Sequence, residues 1–227
     1  VMGLILSILI FDISLFMPPS IDYLLLFFFG LFSIFLTNTI NFYDGADLNI
    51  SVFGIINLLL LLFIFNSYSQ FVLVIMSSLI FILCFSFFNY KANNIFFGDA
   101  GSFFLSTLII FFICIGLIEG NNEIVYLLIG LSLPIFDVIY VIILRIYLRE
   151  PLNTRHFYQI YQLVQNKFKN KNYILIQPIN SVLIILCLFI MNSYGLDILF
   201  STLFSSFFVT ILFYFFVRFV VLNKQIK

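Results

Sequence analysis

Apolar residues in this chain come in long runs, not at alternating positions or on one helical stripe. The runs lie near residues 2–17, 23–40, 50–66, 70–88, 101–118, 124–147, 173–193 and 198–222. Each approaches or exceeds the roughly 20 residues that carry a helix across a bilayer. Helices satisfy their own backbone hydrogen bonds, which lipid demands. Short polar stretches interrupt the runs: "MPPSID", "NFYDGADLN", "NSYSQ", "NYKANNIFFGD", "EGNNE", the long segment 149–172, and "NSYGLD". The pattern predicts an all-α, polytopic integral membrane bundle of about eight transmembrane helices, forming a single domain over 1–227.

Composition agrees. The chain has 227 residues, of which 63% are hydrophobic and 9% charged, which leaves too little polar surface for a soluble domain. Net charge is zero, so no nucleic-acid partner is indicated. Cys84, Cys114 and Cys187 lie in apolar runs without metal-ligand spacing and read as packing residues.

Charge also orients the chain. If the spans alternate, the second, fourth and sixth breaks share one side with the C-terminus. That side holds all ten basic residues: Lys91, Arg145, Arg149, Arg155, Lys167, Lys169, Lys171, Arg218, Lys224 and Lys227. The opposite breaks carry Asp22, Glu119, Glu123 and Asp197. The asymmetry predicts that the basic side is cytoplasmic.

The unusual polar residues collect on that same side. In "NTINFYDGADLNI", Asn38, Asn41 and Asp44 recur every third residue, so a helix end would present them on one face. Gly45 and Asp47 follow. The stretch suits a sugar, base or phosphate, or else a helix cap and a turn. In "NNIFFGDAGSFFLS", Asp99 stands between Gly98 and Gly101, with Ser102 after it and Asn89 and Lys91 upstream. Mg2+ favours one or two carboxylates plus substrate phosphates, and the amides opening the next helix can receive phosphate oxygens. The alternative is that Asp99 merely caps that helix. Asp137 falls inside an apolar run, three residues after Pro134, where an ionisable group is costly and is either functional or paired. Asp12 also lies in an apolar run and is assigned no role. The only histidine, His156, lies among Arg149, Arg155, Tyr158 and Gln159, a set able to orient a diphosphate.

These motifs resemble the polyprenyl-phosphate N-acetylhexosamine-1-phosphate transferases, the membrane glycosyltransferase family 4 type. The family's N-x-x-N-x-x-D-G-x-D pattern is matched by Asn38, Asn41, Asp44, Gly45 and Asp47. Its F-x-G-D-x-G-S pattern is matched by Phe96, Gly98, Asp99, Gly101 and Ser102, with Asn89 in the preceding loop. Its P-x-x-D span is matched by Pro134 and Asp137, and its H-x-Y-Q loop by His156, Tyr158 and Gln159. The resemblance implies that Asp99 binds Mg2+ with the substrate diphosphate, that Asn38 to Asp47 help form the nucleotide-sugar pocket, and that the His156 loop contacts sugar or phosphates. It implies transfer of an N-acetylaminosugar-1-phosphate from a UDP-N-acetylhexosamine to polyprenyl (undecaprenyl) phosphate, with release of UMP. That reaction initiates cell-envelope glycans such as O-antigen lipopolysaccharide at the bacterial cytoplasmic (inner) membrane. A second copy of the chain is a candidate partner.

Three departures qualify the match. Family members carry adjacent aspartates in an early cytoplasmic loop, and no adjacent acidic pair occurs here. They have about ten or eleven spans, and this chain starts at Val1 inside an apolar run. Both point to a member truncated at its N-terminus, inactive alone if the missing spans are needed. Leu48 stands where the family often has glycine. Two other classes stay open: a transporter using Asp137 in an ion pathway, and a non-catalytic remnant of the transferase fold.

Overall fold

The computed structural model describes residues 23–92, 95–151, 154, 157–168 and 171–223. The run at 2–17, Asp12, Asp22, Arg155, His156, Lys169, Lys224 and Lys227 lie outside the described residues, as does the side chain of Lys91. The described residues form helices throughout: α1 (Tyr23–Tyr43), α2 (Asn49–Ile64), α3 (Ser69–Ala92), α4 (Gly98–Ile118), α5 (Leu128–Tyr147), α6 (Ile160–Phe168), α7 (Ile176–Ser193) and α8 (Ile198–Asn223). Tight 3-10 segments, Asn122–Leu127 and Lys171–Leu175, lead into α5 and α7.

Five helices are long and apolar enough to cross a membrane: Ser69–Tyr90, Gly98–Ile118, Asn122–Tyr147, Lys171–Ser193 and Ile198–Leu222. Phe27–Tyr43 and Asn49–Ile64 are shorter apolar helices. These match the expected spans from residue 23 onward. The protein is an integral membrane helical bundle. α1 packs on α4, α2 on α3, and α8 on both α5 and α7. The buried core joins Leu36 and Ile40 of α1, Phe53, Leu58 and Leu61 of α2, and Leu105, Ile109 and Phe112 of α4. Large apolar side chains also cover the outside, as a lipid-facing surface requires: Phe207 is 69% and Phe189 is 75% exposed.

Pro134 shows how the bundle repairs its own breaks. A proline inside a helix has no N–H for the carbonyl four residues back, here that of Gly130. Gln177 of α7 donates Nε2 to that carbonyl at 2.6 Å, and Ser181 donates Oγ to the Ile129 carbonyl at 3.1 Å. The freed Gly130 acceptor, with the Ile129 carbonyl beside it, thus joins α5 to α7.

One element departs from the sequence reading. The polar segment 149–172 contains α6, which the runs did not indicate. Ile160, Tyr161 and Val164 lie on one face and are buried, Leu163 and Phe168 are partly buried beside them, and the remaining residues are polar. Amphipathicity this short falls below what a run of apolar residues reveals.

Candidate functional site

The motif segments meet at one end of the bundle, and an aspartate from one helix starts another. Asp44, just after α1, accepts the Phe97 N–H on Oδ1 at 3.0 Å and the Gly98 N–H on Oδ2 at 2.6 Å. These amides open α4, and Phe97 supplies no side-chain cap of its own. The cap expected of Asp99 is therefore made by Asp44. Asp99 sits in the first turn of α4, exposed. A negative charge there is favoured by the helix dipole. Two amides considered for phosphate are occupied by the Asp44 carboxylate, so anion binding at this end depends on other groups.

Gly98 has φ +72°, a left-handed backbone that glycine adopts without strain, and this turn places its N–H toward Asp44. Gly101 serves packing: a Cβ there would meet the Phe97 ring at 2.6 Å. The Ser102 hydroxyl is fully buried, without a hydrogen-bond partner among the described residues. Of this motif's polar side chains, Asp99 is exposed and Ser102 is buried.

Asn89, buried at the end of α3, ties the two loops. Its Oδ1 accepts the Leu48 N–H and its Nδ2 donates to the Ile95 carbonyl. Leu48 has φ +61°, so the position where glycine is common in the resembled family does adopt a glycine-favouring conformation. Asp47 pairs with Lys171 at 3.3 Å, and Lys171 also lies 4.5 Å from the centre of the Tyr90 ring. Asn38 is exposed and bonds its own helix through the Ile34 carbonyl, and Asn41 is half-buried. Gly45 lies against the Tyr161 hydroxyl, which donates to the Phe42 carbonyl at 2.8 Å.

The electrostatics link these groups. Burial pushes the Asp44 carboxyl above its ordinary value, its two N–H donors pull it down, and the charge of Asp99 pushes it up again. Asp99 is thus close enough for the two carboxylates to repel. Burial also raises the Tyr161 hydroxyl, with the charges of Asp137 and Asp44 adding to the rise. Tyr161 stands between the two aspartates.

Asp137 is wholly buried and faces protein. It accepts the Ile160 N–H at 3.1 and 3.2 Å and the Tyr214 hydroxyl at 2.8 Å. Its burial agrees with the expectation of a costly, paired carboxylate. Asp47 is paired, Asp137 is enclosed, and Asp44 and Asp99 alone are electrostatic neighbours at an accessible surface. Tyr158 is half-buried and donates its hydroxyl to Glu150 at 2.6 Å, whereas Gln159 is buried and Arg149 is exposed.

Several residues at this end were missed as site residues. Tyr161, Tyr173 and Tyr214 gave little signal inside aromatic-rich segments, although Tyr214 and Arg218 share the i, i+4 spacing of one helix face. Arg145, Lys171 and Arg218 registered only as topology charges. Among the described residues, no group of three or more His, Cys, Asp or Glu forms a metal cage. The exposed Asp99 carboxylate could serve as one protein ligand to a Mg2+ that shares its shell with phosphates and water, whereas both Asp44 oxygens accept backbone N–H groups.

An open groove of about 510 Å³ runs between α3 and α4, lined by Ser77, Ser78, Phe81, Ala100, Gly101 and Phe104. Its far end lies one residue from Asp99.

The profile of glycosyl transferase family 4 matches residues 1–117, a stretch that includes Asn38 to Asp47, Asn89 and Phe96 to Ser102. No curated protein and no solved structure matches the chain.

Proposed function

The chain belongs to glycosyl transferase family 4, and from that premise we propose that it moves an N-acetylaminosugar-1-phosphate from a UDP-sugar to polyprenyl phosphate. In this reaction an acceptor phosphate oxygen attacks the sugar-bearing phosphorus of the UDP-sugar. The bond from that phosphorus to the bridging oxygen breaks, and UMP leaves with that oxygen and the electron pair. The observation that carries the reading is the exposed Asp99 at the start of α4, beside Asp44, at an end of the bundle rich in basic residues.

The protein's own residues divide the work. Asp44 and Asn89 fix the two loops, so Asp99 is held by a backbone anchored at Phe97, Gly98 and Ile95. Anchoring of this kind supplies rate through positioning. Mg2+, held by Asp99 with Asp44 near it, would screen the diphosphate and stabilise the leaving UMP. Asn38, Asn41 and the backbone at Gly45 border the same surface and offer amide contacts to the nucleotide-sugar. Arg149, Arg155 and His156 supply cationic groups for phosphate oxygens. The groove between α3 and α4 supports a lipid acceptor, because it opens between membrane-spanning helices and ends next to Asp99. Asp137, on which an ion pathway would rest, is closed off by its three contacts. Positive-inside asymmetry supports a cytoplasmic position for this end, at a bacterial inner membrane.

The test uses membranes carrying the protein from its full open reading frame, with undecaprenyl phosphate, Mg2+, and UDP-N-acetylglucosamine or UDP-N-acetylgalactosamine. UMP should appear only when both donor and acceptor are present. UMP formation independent of the acceptor, or none with either donor, refutes the reading.

A further inference from the structure

Two arginines grip the segment that follows α5, one from each end of it. Arg145, in the last turn of α5, is only 3% exposed. It donates through Nη2 to the Pro151 carbonyl and to Thr154 Oγ1, the latter at 2.9 Å, and its Nε lies 3.7 Å from Glu150. Glu150 in turn accepts the Tyr158 hydroxyl. Arg218, near the end of α8, is 8% exposed. Its Nη1 donates to the Tyr158 carbonyl at 3.3 Å and to the Tyr214 hydroxyl at 2.9 Å. Tyr214 in turn donates its hydroxyl hydrogen bond to Asp137, whose carboxylate also accepts the first amide of α6. The guanidinium of Arg218 lies 4.5 Å from the centre of the Tyr140 ring, which fixes its plane.

A guanidinium enclosed in this way is no longer free to meet a phosphate. Charges at a membrane boundary need only face water to set topology, yet both of these are buried and directed at the same short stretch. Tyr158 is held at its carbonyl by Arg218 and at its hydroxyl by Glu150. Ile160 is held at its amide by Asp137. Gln159 lies between the two anchors. The segment singled out by its sequence motif is therefore fixed by groups outside that motif.

We propose that Tyr214 and Arg218, acting through Asp137 and the Tyr158 carbonyl, are positioning residues for the transfer reaction: they hold the segment from Tyr158 to Ile160 in its working place. The proposal rests on the transferase reading for its kinetic consequence, but not for its structural one. Asp137 belongs to the same device. Its carboxylate orients a helix start and touches no open space.

The experiment compares the full-length protein with Tyr214→Phe and Arg218→Lys in membranes. Tyr214→Phe keeps the ring and its packing and deletes one hydroxyl. Trypsin cleavage within the stretch from Arg149 to Lys167 should quicken about tenfold as that stretch opens more often, while the unfolding temperature of the whole protein changes little. The turnover number should fall about 10²-fold with KM for the UDP-sugar little changed, the mark of misplaced groups and not of lost binding. Arg218→Lys keeps a donor to Tyr214 and should give an intermediate loss. Wild-type cleavage and turnover in Tyr214→Phe overturn the proposal. So does lost turnover accompanied by a fallen unfolding temperature without local cleavage, which would make the tyrosine a general stability residue. If the wild-type protein transfers nothing, the transferase reading falls, and the cleavage comparison alone decides whether these residues clamp the segment.

Discussion

Asp44 and Asp137 do the same local job in opposite surroundings. Each is an aspartate on one helical element whose carboxylate accepts backbone N–H groups at the start of another: α4 for Asp44, α6 for Asp137. Asp44 is half-buried, has an exposed carboxylate as its neighbour, and is raised in pKa. Asp137 is enclosed, with Arg218 reached through Tyr214 as its counter-charge. The difference teaches that a carboxylate cap is cheap at the mouth of a bundle and demands a full set of partners inside it. It also separates roles. The open cap stands beside an exposed carboxylate, and the closed cap holds the segment from Tyr158 to Ile160.

The comparison breaks most clearly at its closed member. Asp137→Ala leaves the Ile160 amide and the Tyr214 hydroxyl without their acceptor and removes the carboxylate that balances Arg218 through Tyr214. Loss of one partner from a buried charged network costs about 3–5 kcal/mol, readable as a drop in unfolding midpoint in detergent. A loss near zero would show that the network is no more than a contact. At the open member the largest effect is on rate. Asp99→Asn should cut UMP release by about 10² to 10³-fold while the unfolding midpoint stays put, because an exposed carboxylate with no cap to make contributes little to stability. Undiminished UMP release would remove Asp99 from the reaction.

Asp44→Ala sharpens the comparison by removing the open cap alone. It should cost about 1–2 kcal/mol, less than Asp137→Ala, in the same unfolding measurement. Acid titration gives a sign as well. With its folded-state pKa raised, Asp44 keeps its proton to higher pH in the folded protein than in the unfolded chain. Its contribution to stability is therefore fully present below the unfolded value and is lost as pH rises through the folded one. The effect is small because water still reaches the half-buried carboxylate. In Asp44→Asn that decline should vanish from the midpoint-against-pH curve. The smallest expected change is Leu48→Gly, which relieves a left-handed leucine and should raise stability by less than about 1 kcal/mol. A loss there would mean that the leucine side chain packs more than its backbone strains.

The spans were legible in the sequence because lipid imposes one simple demand, a long apolar helix, and each apolar helix from Tyr23 onward appears where a run predicted it, unlike the short amphipathic α6. The one-sided basic residues foretold that the motif loops share an end. Family membership was readable from four short motifs, since Asp, Asn and Gly are expensive in a greasy chain and stand out against it. The sequence could not say which aspartate caps which helix. Asp99 lies next to α4 in the chain, yet Asp44, more than fifty residues earlier, makes the cap, because α1 packs beside α4 and brings its C-terminal end there. Nor could it show that Arg145 and Arg218 turn inward, or that Gln177 replaces the hydrogen bond Pro134 cannot make. Hydropathy and motif spacing are properties of the chain taken in order and survive in any fold. Hydrogen bonds between distant side chains and backbone need the two groups within about 3 Å, and only the packing of the helices brings them that close.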